Sequence, residues 1–359
     1  MMMERRVPNE LVDCILDNLY LDTATLLNCV LVGKAWVRSS QRGIFREIIL
    51  NLPFRDQDAY LEAIRRLDAL FSEKPYLASY VRSLELRWFA QFDRYDWLQL
   101  VYNATASLVQ RLSNVKKLKF HRVEWKPLSP LLKAALNKIC EASVTQFCAM
   151  VFYVPTFVEF ASLLTRMRNL KVLDVDLRCN DQIVPNSLSE LEIEEASLPP
   201  RNMATLQYFG TNLRELTLYG CPAGNQALNV AHLPNLRCLS LLHVYQTETH
   251  SPVPWIQALF EPLLNLDGNL CPLQRLAIGL VIGHPQSNSL QPHQWYPWAA
   301  VDMLLGKPEF ASLKTVELKL ARGILEEVPG ISKVLSERLP LLEGLGKLVV
   351  QIADVDVDD

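Results

Sequence analysis

Apolar residues recur every three or four positions over the first fifty residues, and this spacing predicts three short helices. The first helix begins at about Pro8, because the missing proline N–H would be unpaired in a first helical turn anyway. Leu11 and Ile15 lie four positions apart on one side of this helix and give it an apolar stripe. The third helix covers about residues 34–45. Residues 1–50 are therefore predicted to fold as a small helical module.

A different spacing, apolar-x-x-apolar-x-apolar, recurs beyond residue 80. Its ten copies begin at Val81, Val115, Val144, Leu170, Leu188, Leu213, Leu236, Leu273, Leu313 and Leu345. The last two apolar residues of a copy point to the same side of a β-strand, and the residue between them points to the other side. The central values of the steps between copies fall in the range of about 20 to 29 residues that is typical of leucine-rich repeats. We therefore expect an irregular α/β solenoid with parallel strands and outer helices.

Helices are expected between the strands, and several of the candidate segments open with Pro or Asp, as helices often do. The predicted helical segments are residues 56–71, 95–112, 128–140, 155–167, 253–266, 294–305 and 324–338. The steps between Leu170 and Leu236 are too short for long helices. Loops or single turns are expected in that stretch.

Two linked motifs mark the opening residues. Val-Pro-x-Glu-Leu-Val-x-x-Ile-Leu-x-x-Leu starts at Val7, and Leu-Leu-x-Cys-x-Leu-Val-x-Lys-x-Trp runs from Leu26 to Trp36. Together they resemble the F-box motif, in the version common in mushroom-forming fungi. The sequence departs from the family pattern at Val7, at Val30 and at Lys34, and each of these residues keeps the apolar or cationic character of the position.

The resemblance implies that the module docks on the Skp-family adaptor of an SCF ubiquitin ligase, and through the adaptor on a cullin. The family's adaptor contacts map here onto Pro8, Leu11, Ile15, Leu16, Leu31, Val32 and Trp36. Leucine-rich repeats commonly follow an F-box in substrate receptors, which implies that the solenoid binds the protein to be ubiquitinated. Two alternatives stay open: a plain three-helix cap on a solenoid end, and a leucine-rich-repeat interaction scaffold unrelated to ubiquitination.

The expected organisation has four parts. An F-box helical module covers residues 1–50, a linking helix covers residues 51–80, the leucine-rich-repeat solenoid covers residues 81–352, and an acidic tail covers residues 353–359. The chain as a whole is expected to be the non-catalytic substrate-recognition subunit of an SCF-type ubiquitin ligase.

The residues that point outward from the predicted strands give an expectation about the target. The acidic ones near the middle of the array are Asp174, Asp176, Glu190, Glu192, Glu194 and Glu215. They favour a basic segment of a substrate protein, although exposed strands also need polar residues for solvation alone. Trp295 and Trp298 form the densest aromatic cluster and are candidate recognition anchors. The alternative for this pair is packing inside the fold.

Composition limits the partners. A net charge of −3 and a pI of about 6.1 do not favour nucleic acid or an anionic membrane surface. No apolar run approaches the roughly 20 residues of a membrane-spanning helix. The eight cysteines contain no C-x-x-C pair and are expected to be free thiols in a reducing compartment. We expect a cytoplasmic or nuclear protein that contacts neither membranes nor nucleic acid.

Catalytic motifs are not found in the sequence. It contains no G-x-S-x-G, no phosphate-binding loop, no G-x-G-x-x-G and no H-E-x-x-H, and its six histidines lack the spacing of metal ligands. We therefore expect a binding protein rather than an enzyme, with no catalytic residues, no metal and no cofactor.

Overall fold

In the part of the chain that the structure describes, ten β-strands form one open parallel sheet, and the order of the strands in the sheet equals their order in the chain. The computed structural model describes residues 9–19, 22–53, 56–89, 95–179, 212–219, 230–246, 251–265, 271–282, 295–321 and 330–353. The chain divides into two compact units, residues 1–148 and residues 149–359. The α/β class and the parallel strands predicted from the sequence are confirmed.

The first unit begins with three short helices and continues with alternating strands and helices. Its elements are α1 (Asn9–Asn18), α2 (Thr23–Val32), α3 (Lys34–Ile44), β1 (Glu47–Asn51), α4 (Gln57–Glu73), α5 (Pro75–Ala78), β2 (Ser83–Arg87), α6 (Tyr95–Gln110), β3 (Lys117–Glu124) and α7 (Pro130–Ala142). Strand β4 (Gln146–Val154) crosses the boundary between the units.

The second unit repeats the alternation of strand and helix, with some connections made by single turns. Its elements are α8 (Phe157–Arg166), β5 (Val172–Cys179), β6 (Glu215–Tyr219), β7 (Cys238–Gln246), α9 (Val253–Phe260), β8 (Arg275–Ile282), α10 (Trp298–Leu305), β9 (Thr315–Ala321), α11 (Ile331–Arg338), α12 (Pro340–Gly344) and β10 (Leu348–Ala353). Short 3₁₀ turns cover Val230–His232, Glu261–Asn265 and Pro308–Phe310.

Strand β1 was not expected from the sequence. Phe45, Ile48 and Leu50 repeat the apolar-x-x-apolar-x-apolar spacing, and Ile48 and Leu50 are buried as that spacing requires. The expected module boundary at residue 50 therefore falls inside the first strand of the sheet. The repeat that begins at Leu188 lies outside the described residues.

The paired apolar residues of successive repeats stack directly on one another. In the first unit, Leu84 of β2 lies opposite Leu118 of β3, and Leu86 lies opposite Phe120. All four side chains are buried. Parallel strands that repeat the same spacing align their apolar residues in rows, and each row becomes part of a continuous core.

Several strands bend at the same point of the repeat. Trp88, Arg122, Val151 and His243 have positive φ angles of 61°, 53°, 52° and 54°. Each lies two positions after the second residue of its apolar pair. At His243 the strand gains one residue relative to β8 and forms a β-bulge. Opposite this bulge is Gly279, where a Cβ would lie 3.0 Å from the Cδ2 atom of Leu242, so a side chain there would require the Leu242 side chain to shift.

Each predicted helical segment contains a helix, with shifts at the ends. Helix α10 begins later than predicted, at Trp298, and helix α9 ends at Phe260 and continues as a 3₁₀ turn. Helix α11 covers Ile331–Arg338, and residues 324–329 of its predicted segment lie outside the described residues. Among the described residues, no helix combines the length and the apolar character that a transmembrane span requires.

Candidate docking face on the amino-terminal helices

The three amino-terminal helices enclose a small core of their own. Val12 and Leu16 of α1 and Leu26 of α2 are completely buried, and half-buried apolar side chains surround them. Helix α3 approaches this core closely at Gly43, where a Cβ would lie only 2.7 Å from the Cδ1 atom of Leu26. A side chain at residue 43 would therefore force the buried Leu26 side chain to shift.

Polar contacts fix the ends and the crossings of these helices. Asp22 caps α2, since its carboxylate accepts hydrogen bonds from the Thr25 hydroxyl at 2.6 Å and from the Thr25 backbone N–H at 2.9 Å. The bond from the hydroxyl lowers the pKa of Asp22, and the bond from the backbone adds to the effect. Asp13 of α1 accepts a hydrogen bond from Ser39 and lies 3.6 Å from the guanidinium of Arg42, so it connects α1 to α3.

Large apolar side chains remain in solvent on the same helices. Their exposed fractions are 52% for Leu11, 40% for Ile15, 56% for Leu27, 83% for Leu31 and 67% for Val32. We call these five residues the apolar face. Concentrated exposure of this kind marks interaction surfaces, because leaving one such side chain in water rather than burying it costs about 1.5 to 3 kcal/mol.

Four of the seven predicted adaptor-binding residues belong to the apolar face: Leu11, Ile15, Leu31 and Val32. Leu16 does not, because it is buried in the core of the module, and this residue is a correction to the predicted site. Trp36 is half-buried against the same core and contributes mainly to the packing of α3. Pro8 lies outside the described residues.

Leu27 was missed by the sequence analysis. It lies four positions before Leu31 on α2, whereas the buried Leu26 is its direct neighbour. The four-residue spacing between Leu27 and Leu31 indicates that Leu27 lies on the same side of α2 as Leu31, since residues four apart share one face of a helix. Here only Leu26 faces the core, because α3 packs against this side chain and leaves Leu27 in solvent.

The acidic residues predicted to bind a substrate are described only in part. Asp174 and Asp176 lie on β5 and are half-buried, and Glu215 lies on β6 and is exposed. Glu215 is opposite Val172, and Asp174 is opposite Thr217, so the acidic side chains occupy different rows of the sheet. Glu190, Glu192 and Glu194 lie outside the described residues.

Cross-strand ion pairs occupy part of the outward side of the sheet. Glu85 is buried and accepts hydrogen bonds from Arg87 at 2.5 Å and from Lys119 at 3.2 Å, and Lys119 also lies 3.1 Å from Glu47. Burial raises the pKa of Glu85, but the contacts with Arg87 and Lys119 together outweigh burial and lower the pKa below its ordinary value. In the second unit, Arg275 binds the buried Glu317 at 2.5 Å. Glu85 and Glu317 are thus paired within the sheet, and we expect these ion pairs to stabilise it.

The prediction that Trp295 and Trp298 are recognition anchors is wrong, because both side chains are buried. Both indole rings are completely buried, and their centroids lie 6.4 Å apart. The Trp298 N–H points to the side-chain oxygen of Gln246 at 3.5 Å. The pair therefore packs the second unit and has no surface to offer a partner.

No group of three or more His, Cys, Asp or Glu side chains that could hold a metal ion occurs in the described part of the chain. The sequence matches no model of a known protein family, and no curated protein is significantly similar to it.

Proposed function

We propose that this protein is a non-catalytic substrate receptor of an SCF-type ubiquitin ligase, in which the apolar face docks on the Skp-family adaptor. The observation that supports the proposal is the apolar face itself. Leu31 is 83% exposed although the three-helix module to which it belongs has a buried core. A partner that covered Leu31 would remove the free-energy cost of its exposure.

The order of the elements also favours this function. The helices that carry the apolar face are followed at once by the parallel sheet, since α3 ends at Ile44 and β1 begins at Glu47. We infer that the sheet and its helices form a leucine-rich-repeat solenoid that holds the target protein. Asp174, Asp176 and Glu215 favour a basic segment in that target.

Binding to a purified Skp-family adaptor tests the proposal. The full-length protein should bind the adaptor, and the double substitution Leu11→Asp/Leu31→Asp should weaken binding by about 100-fold or more, because two charges would be buried in an apolar contact. Both residues are exposed, so the thermal unfolding midpoint should hardly change.

A matched control is available in the same unit. Leu100 of α6 and Leu131 of α7 are exposed to the extent of 53% and 56%, and neither belongs to the apolar face. Leu100→Asp/Leu131→Asp should leave the affinity unchanged. If the wild-type protein does not bind the adaptor, or if both double variants bind equally well, the proposal is wrong and an interaction scaffold outside the ubiquitin system becomes the better account.

A further inference from the structure

A shallow groove of about 350 Å³ lies beside helix α3 in the first unit. Its lining residues are Lys34, Val37, Arg38, Gln41, Tyr76 and Tyr80. The two tyrosine rings meet edge to face, with their centroids 5.9 Å apart. The Arg38 side chain donates a hydrogen bond to the Tyr80 hydroxyl at 3.3 Å. The groove thus combines cationic and phenolic groups.

The two cations of this groove, Lys34 and Arg38, are surrounded by groups other than carboxylates. Lys119 and Arg111 are each paired with carboxylates, whereas no carboxylate lines the groove. Arg38 contacts a neutral phenol, and Lys34 has no ion-pair partner in the described part of the chain. Two positive charges therefore stand together in a protein whose net charge is −3.

The groove is next to the apolar face along the chain. Lys34 begins α3 only two residues after Val32, so their Cα atoms are at most about 7 Å apart. A partner that covered Leu31 and Val32 would bring its own neighbouring side chains close to Lys34. Protein interfaces commonly have an apolar centre with charged groups at the rim.

We infer that this groove receives acidic side chains of the protein that docks on the apolar face, an inference that rests on the proposed function. Lys34 and Arg38 attract carboxylates of the partner, and the tyrosine hydroxyls can donate hydrogen bonds to the same groups. Charges at the rim of an interface act chiefly on the association rate and on its dependence on salt. The apolar face then provides most of the binding affinity, and the groove raises the association rate and orients the partner.

The test measures association rates between the full-length protein and a purified Skp-family adaptor at low and at high salt. Lys34→Glu/Arg38→Glu should lower the association rate at low salt by about tenfold or more and should flatten its dependence on salt. Lys34→Arg/Arg38→Lys keeps both charges and should restore most of the rate.

The control is Arg65→Glu/Lys138→Glu, which changes the net charge by the same amount on exposed positions of α4 and α7 outside the groove. Its association rate should stay within about twofold of the wild type. If the groove variant behaves like this control while the wild type binds normally, the inference is wrong and the proposed function stands. If the wild type does not bind the adaptor at all, the proposed function is wrong, and the inference is overturned with it.

Discussion

Single side chains determine which surfaces of the amino-terminal helices are closed and which stay open. On α2, Leu26 is enclosed by α3, while its neighbour Leu27 faces solvent. The space for Leu26 exists because residue 43 is a glycine. A side chain at that position would displace Leu26 and disturb the core beneath the apolar face.

Gly43→Val should therefore destabilise the protein by about 2 kcal/mol, which is typical of overpacking in a core. The measurement is the free energy of unfolding from denaturant titration. Gly344→Val provides the control, since that glycine also lies in a helix but has no atom within 4 Å of the position of a Cβ. An equal loss in both variants would show that the contact with Leu26 is not the cause.

Glu85 gives a residue-scale prediction that depends on pH. Its pKa in the folded state is lowered, so its contacts with Arg87 and Lys119 stabilise the fold above the unfolded pKa, and this stabilisation is lost as the pH falls through the folded pKa. Glu85→Gln should cost about 1 to 2 kcal/mol at neutral pH, where the charged hydrogen bonds are lost.

Unfolding of this variant should also respond less to acid. Between about pH 6 and pH 3, the wild type should lose more stability than Glu85→Gln, because only the wild type has this carboxylate to protonate. Parallel pH profiles of the two proteins would contradict the role assigned to the Glu85 ion pairs.

At the scale of elements, short helices are held by contacts from neighbouring helices. Helix α12 has only five residues, and the buried Asp302 of α10 caps it: its two carboxylate oxygens accept hydrogen bonds from the backbone N–H groups of Leu341 and Leu342, both at 2.9 Å. A helix this short does not persist without such support.

Asp302→Ala should destabilise the second unit by about 2 to 3 kcal/mol, because two backbone donors lose a charged acceptor. Asp302→Asn keeps one side-chain oxygen and should cost less. Hydrogen exchange of the Leu341 and Leu342 amides measures the effect locally. Unchanged protection of these amides in Asp302→Ala would contradict the capping role.

The elements were largely predictable from sequence, because their signals are local. A strand of this sheet is marked by two apolar residues separated by one position. Leu84 and Leu86 give this signal within three residues, and both are buried. Strand β1 was not predicted, because its apolar pair, Ile48 and Leu50, lies between the end of the third predicted helix and residue 50, inside the range given to the helical module. The choice between Leu26 and Leu27 depended on α3, so helix periodicity alone could not settle it.

At the scale of the whole molecule, the candidate site was less predictable than the fold. Glu85 and Lys119 are 34 positions apart in the chain, so their ion pair depends on the register of two strands. Trp295 and Trp298 resemble binding anchors in sequence, but they are buried. Burial and pairing of this kind follow from contacts between distant segments. The resemblance of the opening residues to the F-box motif singled out Leu11, Ile15, Leu31 and Val32, and all four are exposed.

The central claim is that the apolar face binds a Skp-family adaptor, and calorimetric titration of the full-length protein with that adaptor tests it most directly. The account predicts one-to-one binding with a Kd of about 1 μM or tighter, and a negative change in heat capacity, because apolar surface is buried. Absence of binding heat at several temperatures, with both proteins at tens of micromolar, roughly ten or more times this Kd, would contradict it.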